Sequence, residues 1–245
     1  MGVVLGQYRK TAVIAEVVAE TLRRARRRDD FVKPLAEEWV GPYEPLIGGA
    51  AAEKAAADEA EGQAFANLLY KLERAVTTFG QVKDDVFNAL GRPRNDPTFA
   101  MLFPDGMGTV RDVPPGRAAL AMGIIAGQLR KVRNPLLDEA RLAGWADRLD
   151  ASKAEVSAAV ATLETASAMA AHATSSYMRV VRLAWHALPA LKRVLKAKGL
   201  TEAKVHTVIP SSAAPPREAA AGANGHDADA PGVATGANGG TPTSG

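Results

Sequence analysis

Residues 75–90, AVTTFGQVKDDVFNAL, recur as residues 173–188, ATSSYMRVVRLAWHAL. Laid together without a gap, Ala75, Val82, Ala89 and Leu90 are identical to Ala173, Val180, Ala187 and Leu188. Phe79 meets Tyr177, Phe87 meets Trp185, and the hydroxyl pair Thr77-Thr78 meets Ser175-Ser176. The two stretches read as the end of one helix, written twice. An internal repeat governs the fold, because each copy must be one supersecondary unit that its neighbour helps to bury.

The repeat extends outward. Residues 17–26, VVAETLRRAR, match residues 124–133, IIAGQLRKVR, at Ala19/Ala126, Leu22/Leu129, Arg23/Arg130 and Arg26/Arg133. A tryptophan follows each block, Trp39 and Trp145, and each half closes on an apolar pair and a proline, Leu102-Phe103-Pro104 and Val208-Ile209-Pro210. The predicted fold is therefore all-α: an elongated antiparallel helical bundle of two duplicated helical hairpins. Repeat one spans about 7–104 and repeat two about 117–210, within a bundle over 1–210.

Four long helices are expected. The first runs from about Gln7 to Arg28, with a possible extension to Trp39, on the seam Tyr8, Thr11, Ala15, Val18, Leu22 and Ala25. Residues 40–49, VGPYEPLIGG, break it. The second runs from Ala51 to Leu90, on a heptad-like seam from Phe65 through Leu68, Leu72, Ala75, Phe79, Val82 and Val86 to Ala89. Gly91 and Pro93 end it. The third begins near Arg117, is interrupted and kinked at Asn134-Pro135, and ends near Leu149. Its run 121–127 is small and apolar nearly all round, which predicts burial between neighbouring helices. The fourth starts at a capping box, Ser152-Lys153-Ala154-Glu155, and follows Val156, Leu163, Ala170, Tyr177, Ala184 and Leu191 to Lys198, with a kink at Pro189. Residues 211–245 contain almost no bulky apolar side chain and read as a disordered, low-complexity tail.

Composition narrows the function classes. Hydrophobic residues are 47% of the chain but aromatic ones only 5%, so the core rests on Ala, Val and Leu. The absence of cysteine excludes disulfides and thiolate metal sites. The start MGVVLGQYRK lacks the basic-then-apolar order of a secretory signal, and Gly6 stands where a myristoylation signal needs Ser or Thr. The longest strongly apolar uncharged run, 118–129, falls short of the roughly 20 residues that span a bilayer as a helix. A cytoplasmic protein is expected.

Two features invite a binding reading. Arg23, Arg24, Arg26, Arg27 and Arg28, echoed by Arg130, Lys131 and Arg133, either bind an anion or solvate helix ends. Asp29 and Asp30 follow at once and no aromatic residues are interleaved, which argues against nucleic acid. Phe99, Met101, Leu102 and Phe103 are too apolar for an ordinary loop: they either cap the bundle or dock a partner.

Catalytic signatures are missing. A di-iron bundle needs Glu-x-x-His on two helices. His172, His186, His206 and His226 have no acidic residue three positions before them, and no phosphate-binding glycine motif occurs. No cofactor, metal or catalytic residue is expected. Glu37-Glu38 and Asp84-Asp85 read as solvated faces, and the hydroxyl pairs as bonded back to their own helices.

Trp39-Val40-Gly41 is a W-x-G between two helices. Over those three residues it resembles the small helical hairpins exported by type VII secretion. The second half has Trp145-Ala146-Asp147 instead, and no Y-x-x-x-D/E follows either long helix, so a structural tryptophan is the reading. In being alanine-rich, helical and free of cysteine the chain is also similar to phasins. The expected function is a non-catalytic interaction or scaffolding protein that meets a protein partner, or itself, through helix faces. The second class is a surface-active helical coat on a membrane or hydrophobic granule, and the third a cofactor-dependent bundle enzyme.

Overall fold

The computed structural model describes residues 2–92 and 96–210, the side chains of residues 2–10 excepted. The expected tail, 211–245, lies outside the described residues. The described chain is all-helical, without a strand. In order the helices are α1 (Gly2–Arg26), α2 (Val32–Trp39), α3 (Tyr43–Ala89), α4 (Pro97–Leu102), α5 (Gly108–Arg111), α6 (Pro115–Leu129), α7 (Glu139–Ala197) and α8 (Glu202–Val208).

Two helices dominate, not four. α3 has 47 residues and α7 has 59. They lie antiparallel, as the cross-links Arg148–Asp85, Lys71–Glu155 and Ser167–Glu61 require. The expected third and fourth helices meet inside α7, because nothing stops the helix at Ser152. Leu149 and Val156 are both fully buried on one seam, and Glu155 turns outward to Lys71 instead of back to an N-cap. The true break is earlier. Asn134 Oδ1 accepts from the Leu136 amide in a turn, and Asp138 caps α7 by accepting from the Arg141 amide at 3.2 Å. Pro189 sits within α7, which runs on to Ala197.

The expected loop at 40–49 is another correction. α3 already begins at Tyr43. Pro45 is tolerated because it falls in the first turn, where amides have no intrahelical acceptor. The first helix stops at Arg26, and the chain turns through 27–31. There Arg28 pairs with Asp30, whose Oδ1 also accepts from the Val32 amide to start α2. Phe65, expected on the α3 seam, is 51% exposed. Ala64 takes the inward place.

Both long helices end alike. Gly91 and Gly199 adopt positive φ, and their amides bond to the carbonyls of Asn88 and Lys196. The next amides, Arg92 and Leu200, reach Phe87 and Leu195. These are Schellman closures, which satisfy carbonyls that the helix leaves open.

Two apolar cores form on the helix pair. The first joins Leu68, Phe79, Val82 and Val86 of α3 to Leu102, Phe103, Val110, to Met122, Ile125 and Leu129 of α6, and to Leu142, Leu149 and Val156 of α7. The second joins Val18, Leu22 and Ala25 of α1 and Val32 and Ala36 of α2 to Ala184, Leu188, Leu191 and Leu195 of α7, and to Val205 and Val208 of α8. Each fully buried leucine contributes roughly 1.5–3 kcal/mol against exposure. Between the cores α3 and α7 touch through Ala50, Ala64, Ala170 and Thr174. Such small side chains let two helices run close together.

In the matched blocks 17–26 and 124–133, Val18/Ile125, Leu22/Leu129 and Ala25/Val132 are buried in both copies. Residues 106 apart are buried alike at Ala36/Leu142, Val40/Ala146, Ala50/Val156, Ala64/Ala170, Leu68/Thr174, Ala75/Val181, Val82/Leu188 and Leu102/Val208. In the register of 75–90 against 173–188 burial agrees in part: Val86/Ala184 and Leu90/Leu188 are buried in both, while Phe79 is fully buried and Tyr177 half-buried.

Gly41 owes its identity to space. A Cβ there would lie 2.4 Å from the Glu37 carbonyl oxygen, although its φ is not left-handed. Gly48, inside α3, has nothing within 4 Å of such a Cβ. Gly41→Ala is expected to lose about 1–3 kcal/mol, the usual cost of overpacking. Gly48→Ala is expected to gain about 0.5–1 kcal/mol by relieving a helical glycine. Urea denaturation of both variants checks the pair, and equal signs would contradict the α2–α3 turn.

Candidate functional site

The basic helix ends do not meet. Arg26 closes α1 beside Glu44 at the start of α3, whereas Arg130 lies beside α7 residues Asp147 and Asp150. Arg148, next to these, pairs with Asp85 at the other end of α3. Glu44 and Asp85 are separated by about 60 Å of helix. The two clusters therefore cannot form one patch.

Most of these cations are taken. Arg26 reaches Glu37 at 2.7 Å and Glu44 at 2.5 Å, tying the end of α1 to α2 and α3. Arg130 grips Asp150 at 2.6 Å and Asp147 at 2.7 Å, tying the end of α6 to α7. Arg23 and Arg24 share Glu20, and Arg133 approaches Glu139 at 3.9 Å. Arg27 and Lys131 make no ion pair with a described residue. Hydrogen bonds from Arg26 hold the Glu37 carboxyl below its ordinary range, and Arg24 does the same to Glu20. Glu37 and Asp85, read as solvated, are thus bonded across helices. Thr77 and Ser175 do bond back, to the carbonyls of Glu73 and Ala171.

The apolar loop also turns inward. Leu102 and Phe103 are buried and Phe99 is half-buried, while Met101 is 52% exposed. Phe103 stands edge-on to Phe79 at 5.6 Å, and Phe99 to Phe87 at 5.3 Å. Asp96 fixes this turn by accepting from the Phe99 amide.

What the sequence did not disclose is a groove. α4 to α6 cover one side of the α3–α7 pair, where Phe99 meets Phe87 and Met107 lies over Gly80. Elsewhere along the pair, Lys71, Arg74, Thr78, Gln81, Asp85 and Asn88 recur every three or four residues along α3. Arg141, Trp145, Arg148, Ser152 and Glu155 do the same on α7. Two hollows lie between these rows. One, of about 460 Å³, is lined by Asp85, Asn88, Ala89, Arg141 and Trp145. The other, of about 200 Å³, lies among Lys71, Arg74, Ala75, Thr78, Arg148, Ala151, Ser152 and Glu155. Arg148 donates to Asp85 at 3.0 Å and to Gln81 at 2.9 Å. Lys71 donates to Glu155 at 3.0 Å, which holds that carboxyl below its ordinary range. No sequence signal marks this groove, because its rows become neighbours only when α3 and α7 pair.

Among the described residues, no three His, Asp or Glu side chains are grouped to hold a metal ion, and no helix is long and apolar enough to cross a membrane. No family model, curated protein or solved structure matches the chain.

A third clamp fastens α8. Glu202 accepts from Lys192 and Lys196 of α7 and lies 3.3 Å from His206. Lys192 and then Lys196 pull its carboxyl from the ordinary 4.5 down to about 2. A depressed folded value stabilises above the unfolded value and loses that stabilisation as pH falls. The contribution of Glu202 is therefore full above pH 4.5 and disappears as pH falls through about 2. Glu202→Gln is expected to flatten the acid limb of melting temperature against pH. An acid limb unchanged by the substitution would show that the clamp carries no stability.

Proposed function

We propose that the protein is a non-catalytic interaction protein that associates with a second copy of itself through its long helix pair. The observation that carries this reading is a strip on α3. Phe65, Leu69, Leu72 and Val76 recur at helical spacing on one face. Leu72 and Val76 pack partly against the first core, but Phe65 and Leu69 are each 51% exposed. Close by in sequence Tyr70 is 55% exposed, and Met169 on α7 is 63% exposed. From Val156 to Met178, Glu164 is the sole Asp, Glu, Lys or Arg on α7. An α7 stretch with so little charge, beside four large apolar side chains open to solvent, suits a matching pair from a second copy, which would complete a four-helix section. Exposed apolar clusters of this kind mark association surfaces.

We infer too that residues 7–104 and 117–210 are copies of one helical hairpin. The support is the shared burial of Val18/Ile125, Leu22/Leu129 and Ala25/Val132, the paired Schellman glycines and the arginine clamps at both inner corners. A hairpin that once paired with its own copy would leave this antiparallel arrangement after fusion.

A surface coat is the second reading, favoured by Leu120 and Ile124. These face outward from α6 at 61% and 53% exposure, Ile124 against the expectation that residues 121–127 are enclosed by neighbours. The two readings differ in buffer: an interaction protein with two filled cores melts cooperatively alone, whereas a coat gains helix when vesicles are added.

Phe65→Ser combined with Leu69→Ser is expected to leave the melting temperature within a few degrees, since both side chains are largely exposed. It should abolish a higher-mass species that the parent protein forms as concentration rises in sedimentation velocity. A parent that stays monomeric throughout would defeat self-association.

A further inference from the structure

We propose that the smaller groove hollow is a binding site for a phosphate-class anion, either inorganic phosphate or the phosphate group of a small phosphomonoester. This goes beyond self-association and does not depend on it. The hollow gathers Lys71, Arg74 and Arg148 with the hydroxyls of Thr78 and Ser152, against the single carboxylate of Glu155. With Asp85, which pairs with Arg148, three cations face two carboxylates, which leaves the site positive by one charge. About 200 Å³ accommodates one phosphate group.

The donors are not used up. Arg74 is 56% exposed, and its nearest carboxylate oxygen, on Glu155, is 3.8 Å away. Lys71 spends one donor on Glu155. Neither the Thr78 nor the Ser152 hydroxyl bonds to a described residue. Arg148 already donates to Asp85 and Gln81, so Arg74 is the least committed cation of the set, unlike the helix-end arginines, most of which carboxylates clamp. A tetrahedral dianion offers several acceptors to converging guanidinium, ammonium and hydroxyl donors, and such charge-assisted bonds are the strong ones.

Neither apolar core uses these groups: Lys71, Thr78, Arg148 and Ser152 are half-buried, and Arg74 and Glu155 are exposed. Glu155 then acts as the competitor that a bound anion must displace from Lys71.

Calorimetric titration of the full chain with inorganic phosphate, pyrophosphate and acetate tests the site. Phosphate and pyrophosphate are expected to bind saturably at one site per chain, and acetate at least tenfold more weakly. Arg148→Gln and Arg74→Gln should each weaken phosphate about tenfold or more, the loss of a charge-assisted bond. Glu155→Gln should tighten it several-fold by removing the competing charge. Arg193→Gln, on an exposed turn of α7, should change nothing beyond the general effect of salt. Arg74 has only the weak Glu155 contact and a ring contact with Tyr70, so its variant remains folded if Arg148→Gln does not, and melting curves identify that case. Equal phosphate affinity in Arg74→Gln and Arg193→Gln, acetate binding as tight as phosphate, or no saturable binding would each overturn the proposal.

Discussion

The antiparallel contact between α3 and α7 is the constraint on which the larger core depends. That core joins a whole face of α3 to α7, whereas the second, built from α1, α2, α7 and α8, meets α3 only through the half-buried Tyr43 and Ile47. The contact is made from heptad-spaced positions, with large residues near the ends and alanine between them. Alanine contributes little burial per residue, so the middle of the pair is held by close approach and length. Bulk is concentrated where extra helices can cover it: Met122, Ile125 and Leu129 at one end, and Val18 and Leu22 at the other. The apolar side chains left on the middle stretch are there because no third helix extends that far.

Charge sets corners more than stability. Arg26 and Arg130 each bind two carboxylates where a shorter helix turns into a long one. The groups are largely exposed, and exposed pairs contribute about 0–1 kcal/mol each. Their use is geometric: a guanidinium fork shared between two acids restricts how the first helix can lie against the second. Glu44 and Asp150 stand 106 residues apart, so the same device is applied to both halves from slightly different arginine positions. The arginine runs look like a ligand patch in sequence because their acceptors are scattered: Glu37 and Glu44 follow Arg26 by 11 and 18 residues.

Periodicity was legible; boundaries and pairings were not. Val156, Ala170, Ala184 and Leu191 lie buried on α7 as their seven-residue spacing implied, and Gly91 and Gly199 end the long helices. The S-x-x-E at Ser152 misled because a capping box acts only where backbone amides lack acceptors, and here they have them. Pro45 misled in the opposite sense, since a proline in the first turn costs almost nothing. The match of 75–90 to 173–188 told which residues are alike but not which are enclosed: Val86 and Ala184 are buried in both stretches, whereas Phe79 is enclosed and Tyr177 is half-open. The groove needed Arg148 to be placed beside Gln81 and Asp85, a contact across more than sixty residues that no local pattern encodes.

The two cores differ in when they can exist during synthesis. The first is made of Leu68 through Ala159, one continuous part of the chain. It can close before Ala184–Val208 has been made. The second joins Val18–Val40 to Ala184–Val208, the two ends of the bundle. It has no partner surface until the end of α7 has emerged from the ribosome. Val18, Leu22, Val32 and Val40 must therefore wait, unburied, through most of translation. Non-local contacts of this kind form late and leave apolar surface open to misassociation. The end of the chain that emerges first is thus the last to be sheltered, and the abundant charge on α1, with arginine filling its final turn, keeps that helix soluble in the interval.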